Sequence, residues 1–370
     1  MRFLFTLAYP DWTGPAEPMA QLALDLMSRG HEVSVWSDGK RSGDLHERLC
    51  ALGIVSEQPL YLSRKSGPIA IARDIARAGE ALRGKFDRVV CHMSADQMII
   101  GQSKRSHKVP VMRYIQNLGS STTRPGRGLL LRSADALLVP SEDHAARARD
   151  LASFASERIG VLRGAVDLER FQPGDDAALR ERMHLKASDI LLISVSRQKP
   201  ERRQMDLLQA IAKASKERSE LHLAFIGRGE YQDELRAESS RLGLDSRVLF
   251  AGYAQGDGLQ AAFQACDASV WLAEGNDGTC RAVGQSLACG KPVIGAQLGA
   301  IRDALEPHAE AGWLVPQRQI GALCDALLQL PSRAELMQRS SACRAIAEAQ
   351  WNQVQRCDQF LELSERLCAP

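Results

Sequence analysis

Aromatic residues make up only 5% of this 370-residue chain, and 47 lysines and arginines almost balance 45 acidic residues for a net charge of +2. A nucleic-acid binder needs a concentrated basic patch with aromatics interleaved, so this composition argues against that class. No uninterrupted apolar run approaches membrane-spanning length. Met1 to Pro10 is apolar but has no small-residue cleavage site before Asp11-Trp12, and it reads as a first buried strand rather than a leader. The nine cysteines are odd in number and lack Cys-x-x-Cys spacing, which speaks against a disulfide framework and a structural zinc site, and for a reducing, cytoplasmic compartment. Gly227-Arg228-Gly229 lacks the third glycine of a dinucleotide motif. Gly290-Lys291 fails as a Walker loop because Pro292 replaces the Ser or Thr.

What is present is globular: 45% apolar and 25% charged residues, at a length that suits two ordinary domains. Met1 to Arg170 carries 24 basic against 19 acidic residues and the remainder 23 against 26, so the first half is mildly basic. The opening alternates in a recognisable way. Arg2 to Ala8 reads as a buried strand and Tyr9 to Glu17 as a loop. Met19, Leu22, Ala23, Leu26 and Met27 then form one apolar helical stripe that Gly30 ends, and Glu32 to Trp36 reads as the next strand. This is a doubly wound α/β unit. Further strands are expected at Phe86–His92 and Val109–Gln116, with Ala134–Glu142 the last of the first domain; Asp44–Gly84 reads as helical or irregular. The second domain opens with Ile190–Val195 and continues through Leu221–Ile226, Arg247–Phe250, Ala268–Leu272 and Ala311–Pro316. Gly174-Asp175-Asp176 suits an exposed linker and places the junction at 171–176.

The most informative stretch is Ala273 to Ala296. After a buried strand, Gly275 to Gly278 breaks the pattern, and a helix follows over about Thr279 to Ala288. Cys289-Gly290 ends it, because glycine supplies a left-handed C-terminal turn and Pro292 cannot continue a helix. The free N–H groups and the dipole at such a helix start favour an anion. Asp277, Arg281 and Gln285 are four apart and share one face, while Cys280, Val283 and Leu287 form a packing face. The same pattern also fits an ordinary amphipathic helix with Asp277 as its N-cap. A second basic turn, Ser196-Arg197-Gln198-Lys199-Pro200-Glu201-Arg202-Arg203, follows the Ile190–Val195 strand.

Asp277-Gly278, Gln285 and Leu287-Ala288-Cys289-Gly290-Lys291-Pro292-Val293-Ile294 together resemble the Glu-x7-Glu signature of glycosyltransferase family 4. Asp277 and Gln285 stand at the two acid positions. The resemblance implies a GT-B fold: two Rossmann-like doubly wound domains facing a cleft, with 1–170 binding acceptor, 171–350 binding nucleotide sugar, and a helix in 351–370 packing back on the first domain. It also implies transfer from a nucleoside diphosphate sugar with retention of anomeric configuration. In the family, Gly-Arg and, five residues on, Lys-Gly hold the donor diphosphate; Arg197 matches the first cation, Arg202 stands for the lysine, and Arg203 replaces the glycine. Asp277 or Glu274 would orient the sugar, and Gln285 the ribose. Gly275, Asn276, Gly278, Thr279 and Arg281 line the glycine loop and helix start, and Gly227 and Tyr253 lie on the loops near the nucleotide. Gly14 falls where the family has a phosphate-side glycine, here followed by Pro15, which has no N–H to give. On the acceptor side the candidates are His92, Gln116 and Asn117, with Gln116 at a position where relatives carry histidine.

No Asp-x-Asp occurs in the chain, so leaving-group charge is expected to be met by Arg197, Arg202 and the helix start rather than by a metal, with no cofactor beyond the nucleotide-sugar co-substrate. Arg64, Lys65, Arg73, Arg77, Lys104, Arg105, Lys108, Arg124 and Arg127 make the first domain basic. They are either solvated or the mark of an anionic glycan or lipid-linked acceptor, with peripheral contact at an anionic inner membrane face. The expected role is cell-surface polysaccharide or lipopolysaccharide assembly. The alternatives are a non-catalytic GT-B partner that binds nucleotide or glycan, and a GT-B epimerase or phosphorylase.

Overall fold

Phe3, Leu4, Phe5 and Leu7 are all fully buried, which a strand achieves only in a sheet covered on both faces. Phe3, Phe5 and Leu7 pack into one helical layer and Leu4 into the other. The computed structural model describes residues 1–12, 16–39, 41–62, 67–115, 127–152, 154–274 and 277–368, with only the backbone described at 127, 151–152 and 277–280. It divides into two units, Met1–Gly164 with Gln353–Pro370, and Ala165–Asn352.

In the first unit, seven strands pair in parallel: β1 (Arg2–Leu7), β2 (Glu32–Ser37), β3 (Val55–Glu57), β4 (Arg88–Cys91), β5 (Val111–Tyr114), β6 (Ala136–Val139) and β7 (Ile159–Val161). Their order is β3-β2-β1-β4-β5-β6-β7. The second unit repeats the plan with β8 (Ile190–Val195), β9 (Leu221–Ile226), β10 (Val248–Gly252), β11 (Ala268–Trp271), β12 (Val293–Ala296) and β13 (Gly312–Val315), in the order β10-β9-β8-β11-β12-β13. The order reverses between β1 and β4 and between β8 and β11. In open parallel sheets such a reversal, outside the carboxyl ends of the strands, is where ligands bind.

Three expectations are corrected. Residues 44–84 contain β3, and β6 is not the last strand, because β7 follows it. Both missed strands are three residues long, too short to show a period, and β3 lies at an edge with Val55 exposed. The division falls at Gly164 rather than at 171–176. Val166 N donates to Trp351 O at 3.0 Å and Phe171 packs edge-on against Phe263 at 6.2 Å, so residues 165–171 already belong to the second core.

The helix Gln353–Leu367 completes the first unit. Phe360 is fully buried, 5.6 Å from Phe3 and 6.1 Å from Phe5 between ring centroids. Asp358 pairs with Arg29, and Arg356 Nη1 donates to Pro18 O at 3.2 Å, both from the first helical segment Ala16–Ser28 and its end. Gly160 in β7 admits this helix, since a Cβ there would lie 2.7 Å from Leu363 Cδ2. Every cysteine with a described side chain is free. Among the described residues no helix is long and apolar enough to cross a membrane.

Candidate active site

The loop after β8 is pinned by backbone-to-backbone contact. Ser196 N donates to Ile226 O at 3.0 Å, and Gln198 N to Arg228 O at 3.2 Å. Gln198 is fully buried, with Nε2 donating to Gly227 O at 3.3 Å. The glycines opposite are there for this approach: a Cβ at Gly227 would sit 2.1 Å from Ser196 O, and one at Gly229 would sit 2.1 Å from Gln198 O. Gly227 also has φ +138°, a conformation that L side chains rarely adopt. The Gly227-x-Gly229 pair is thus a packing device between two loops.

With Gln198 turned inward, its neighbours Arg197 and Lys199 turn out. Arg197 Nη2 lies 3.6 Å from one oxygen of Glu230 and Lys199 Nζ 3.1 Å from the other. The chain then makes a single 3₁₀ turn, Pro200–Arg202. Burial lowers the pKa of the Arg202 guanidinium below its ordinary value, with the Glu201 charge opposing. Arg203 follows at φ 61°, the left-handed conformation that explains why the family places glycine here. Arg203 holds it with an ion pair to Asp206, in the first turn of the helix Gln204–Ala214.

Across the switch point, the helix after β11 runs Asp277–Ala288, two residues earlier in its start than the spacing predicts. Val283, Leu287 and Ala288 are buried, and Gly290 ends the helix at φ 74°. A buried hydroxyl chain ties helix to strand: Trp271 Nε1 donates to Ser269 Oγ at 2.9 Å, Ser269 Oγ to Ser286 Oγ at 2.7 Å, and Ser286 Oγ to Lys291 O at 3.1 Å. On another side, Gly284 lies under Trp351, where a Cβ would come within 2.7 Å of Cγ. The helix is therefore fixed on two sides, and Arg281 and Gln285 are left half-buried on the remaining face, with Glu274 half-buried before it. Tyr253, after β10, is 61% exposed, with the Arg228 guanidinium 5.1 Å above its ring.

These placements bring Arg197, Arg202, Glu274, Arg281 and Gln285 onto the loops and helix that flank the β8/β11 reversal, with Gly227 on the adjoining β9 loop. Of Asp277, Gly278 and Thr279 only the helical backbone is described, and Gly14, Gly275, Asn276, Gln116 and Asn117 lie outside the described residues, as do Arg64, Lys65 and Arg124. Sequence reasoning left Lys199 and Glu230 out of the site. The signal for Lys199 was its alternation with Arg197 in one extended run.

His92, in the first unit, is 3% exposed. Its Nδ1 lies 3.2 Å from Thr6 O, an acceptor only, so Nδ1 carries the hydrogen. Phe5 and Tyr114 pack edge-on against the ring at 5.6 and 5.9 Å. Beside it, the fully buried Asp96, which sequence reasoning missed, accepts from Thr6 Oγ1 at 3.0 Å, from Met93 N at 2.8 Å and from His92 N at 3.1 Å. The Arg113 guanidinium, 6% exposed, donates to Cys91 O at 3.1 Å. The arrangement is a buried lock on the ends of β1 and β4, and the His92 ring is sealed inside it.

Burial, and then the Arg113 charge, push the His92 pKa down to about 3, while burial raises Asp96 to about 6. The depressed histidine contributes stability that is present above its unfolded value of 6.5 and lost as pH falls towards 3. The raised carboxyl does the reverse: its contribution is present below 3.8 and lost as pH rises through 6. Between about pH 4 and 6 the two slopes, about 1.4 kcal/mol per pH unit each, oppose one another. In urea unfolding, His92→Asn should therefore gain on the wild type by about 1.4 kcal/mol per pH unit as pH falls from 6 to 4. A difference that does not change with pH would mean that His92 is not held neutral.

Comparison with known proteins matches the same two halves. Residues 14–170 match the family described as Glycosyltransferase Family 4, and residues 175–342 that described as Glycosyl transferases group 1. D-inositol 3-phosphate glycosyltransferase of Acidothermus cellulolyticus is 27% identical over 361 residues, covering 88% of this chain and 80% of its own length. Among solved structures, Anabaena HepE in complex with UDP superposes with a TM-score of 0.80 at 19% identity, over 98% of this chain and 99% of that one. The lipopolysaccharide outer core galactosyltransferase WaaB, in its apo form, gives 0.76 at 15%, over 98% and 99%. With both halves matched and the two-sheet architecture shared throughout, this chain belongs to glycosyltransferase family 4, the group 1 transferases of GT-B fold, and is a glycosyltransferase.

Proposed function

We propose that the second unit binds a nucleoside diphosphate sugar at the β8/β11 switch point, and that the protein transfers the sugar to a hydroxyl of a glycan or lipid-linked acceptor with retention of configuration. The observation that carries this reading is that a cationic loop and a helix start follow the two adjacent strands β8 and β11. Arg197 reaches outward from the loop, Arg202 is partly desolvated beside it, and the Asp277–Ala288 helix begins opposite. A guanidinium withdrawn from water stabilises a departing diphosphate more than an exposed one does. Protein charge then meets the leaving group without a metal. Glu274 or Asp277 orients the sugar, Gln285 hydrogen-bonds the ribose, and exposed Tyr253 offers a face to the base.

The acceptor is read from charge. The first 170 residues are net basic, and the Acidothermus relative is named for D-inositol 3-phosphate, so an anionic acceptor suits this unit. We place the protein in cell-surface polysaccharide or lipopolysaccharide assembly, on the cytoplasmic side, with its basic first unit peripheral to the inner membrane face.

Thermal unfolding with UDP, GDP, ADP and CMP tests the donor site, because a ligand bound only by the folded state raises its stability by about 2.7 kcal/mol at a hundred times Kd. One diphosphate should raise Tm, and Arg197→Ala should abolish the shift. No shift with any of the four would overturn the assignment.

A further inference from the structure

We propose that Glu230 is an internal counter-ion that occupies the donor's cations until the donor arrives, and that Lys199 is a further cation of that set. The inference rests on the reading that Arg197 and Arg202 meet a nucleoside diphosphate.

Glu230 spans two cations with its two oxygens. Arg197 Nη2 lies 3.6 Å from Oε2 and Lys199 Nζ 3.1 Å from Oε1. Two acceptor oxygens bridging two cations is what adjacent diphosphate oxygens would also present. The backbone that carries the two cations is fixed, because Gln198 between them is buried and bonded through its side chain and backbone to Gly227 and Arg228. Glu230 is placed just as firmly. Gly229 before it packs against Gln198 O, and Tyr231 after it donates from its N–H to the same carbonyl at 3.3 Å. One buried glutamine thus anchors the backbone from which all three charged side chains extend.

The pair is also replaceable. The side chains of Arg197 and Glu230 are 67% and 57% exposed and that of Lys199 36%, so the contacts sit in high dielectric and each is weak. A diphosphate carries at least two charges against one, and it gains the helix start as well. It therefore displaces the carboxylate, which swings into solvent. Binding the donor requires breaking the Glu230 contacts, and releasing the product diphosphate lets them re-form. Glu230 weakens donor and product alike, which shortens the stay of the product.

Calorimetric titration with UDP, GDP and ADP of the wild type and of the Glu230→Gln, Lys199→Met and Arg197→Ala variants tests this, with the matching nucleosides as controls. All three positions are exposed or half-exposed, so the variants should fold. Glu230→Gln should bind the preferred diphosphate about two- to fivefold tighter, and Lys199→Met should bind it weaker by a similar factor. Both effects should shrink as salt rises from about 50 to about 500 mM and be absent with the nucleoside. Steady-state transfer should show the product diphosphate inhibiting Glu230→Gln more strongly. If Arg197→Ala weakens binding but Glu230→Gln binds as the wild type does or worse, the counter-ion role is wrong and the donor site stands. If Arg197→Ala binds every diphosphate normally, the donor-site reading itself fails.

Discussion

Arg202→Ala should lower kcat for sugar transfer by about two to three orders of magnitude, the effect of deleting one preorganised donor to a developing anion. Arg202 is singled out over Arg197 by its surroundings. Burial has already lowered its pKa, whereas the Arg197 side chain is 67% exposed and shares its charge with Glu230. A charge already withdrawn from water need not reorganise when the diphosphate departs. Arg197 should accordingly act mainly on donor affinity and Arg202 mainly on the rate. Arg202→Lys restores the residue that the family usually carries here and keeps the charge, but loses the forked geometry; it should fall within about tenfold of the wild type. Initial rates of nucleoside diphosphate release at saturating donor would measure this. An Arg202→Ala enzyme within threefold of wild type would remove Arg202 from the transition state.

Phe360→Ala should destabilise the first unit by about 3–5 kcal/mol, the cost of truncating a fully enclosed phenylalanine. The ring packs on Phe3 and Phe5 of β1, an interior strand, so the void would open under the sheet and away from its edges. For a unit of this size that is a fall in Tm of roughly 6–20 °C. The nucleotide-responsive transition assigned to the second unit should stay where it is, since Phe360 belongs to the other core. Phe360→Leu keeps most of the volume and should cost about 1.5 kcal/mol or less. Calorimetry of the three proteins with and without nucleotide would separate the transitions. A Phe360→Ala protein that melts like the wild type would mean that the last helix is not part of the first core.

Strands buried on both faces were the most legible part of the fold. Ile190–Val195 and Leu221–Ile226 are read from sequence with the ends they have in the structure, because a short run that is apolar or small, broken in the second only by the half-buried His222, admits few alternatives between polar flanks. Val55–Glu57 and Ile159–Val161 were illegible for the opposite reason: three residues at or near a sheet edge have no pattern of their own and are strands only because a neighbour pairs with them. At the candidate site, the place of Arg197 and Arg202 just past a strand was legible, and their role as donor cations came with the resemblance and is a proposal. The burial of His92 was not legible, since it is imposed by Thr6, Phe5 and Tyr114 from strands distant in sequence. Arg203 shows a middle case. Its departure from the family's glycine was visible, but only the positive φ and the Asp206 partner explain how arginine is tolerated.

The return of the last helix to the first sheet also orders events in time. A ribosome finishes β1 to β7 before any residue of the second unit exists, yet the seat against Phe3 and Phe5 stays open until Phe360 has been made. The second unit, continuous from Ala165 to Asn352, needs no residue of that last helix for its core. During synthesis the first sheet thus keeps part of an apolar face uncovered for as long as the whole second unit takes to be made. A message cut short just upstream of Gln353 would yield a finished second unit tethered to a first one that never seals.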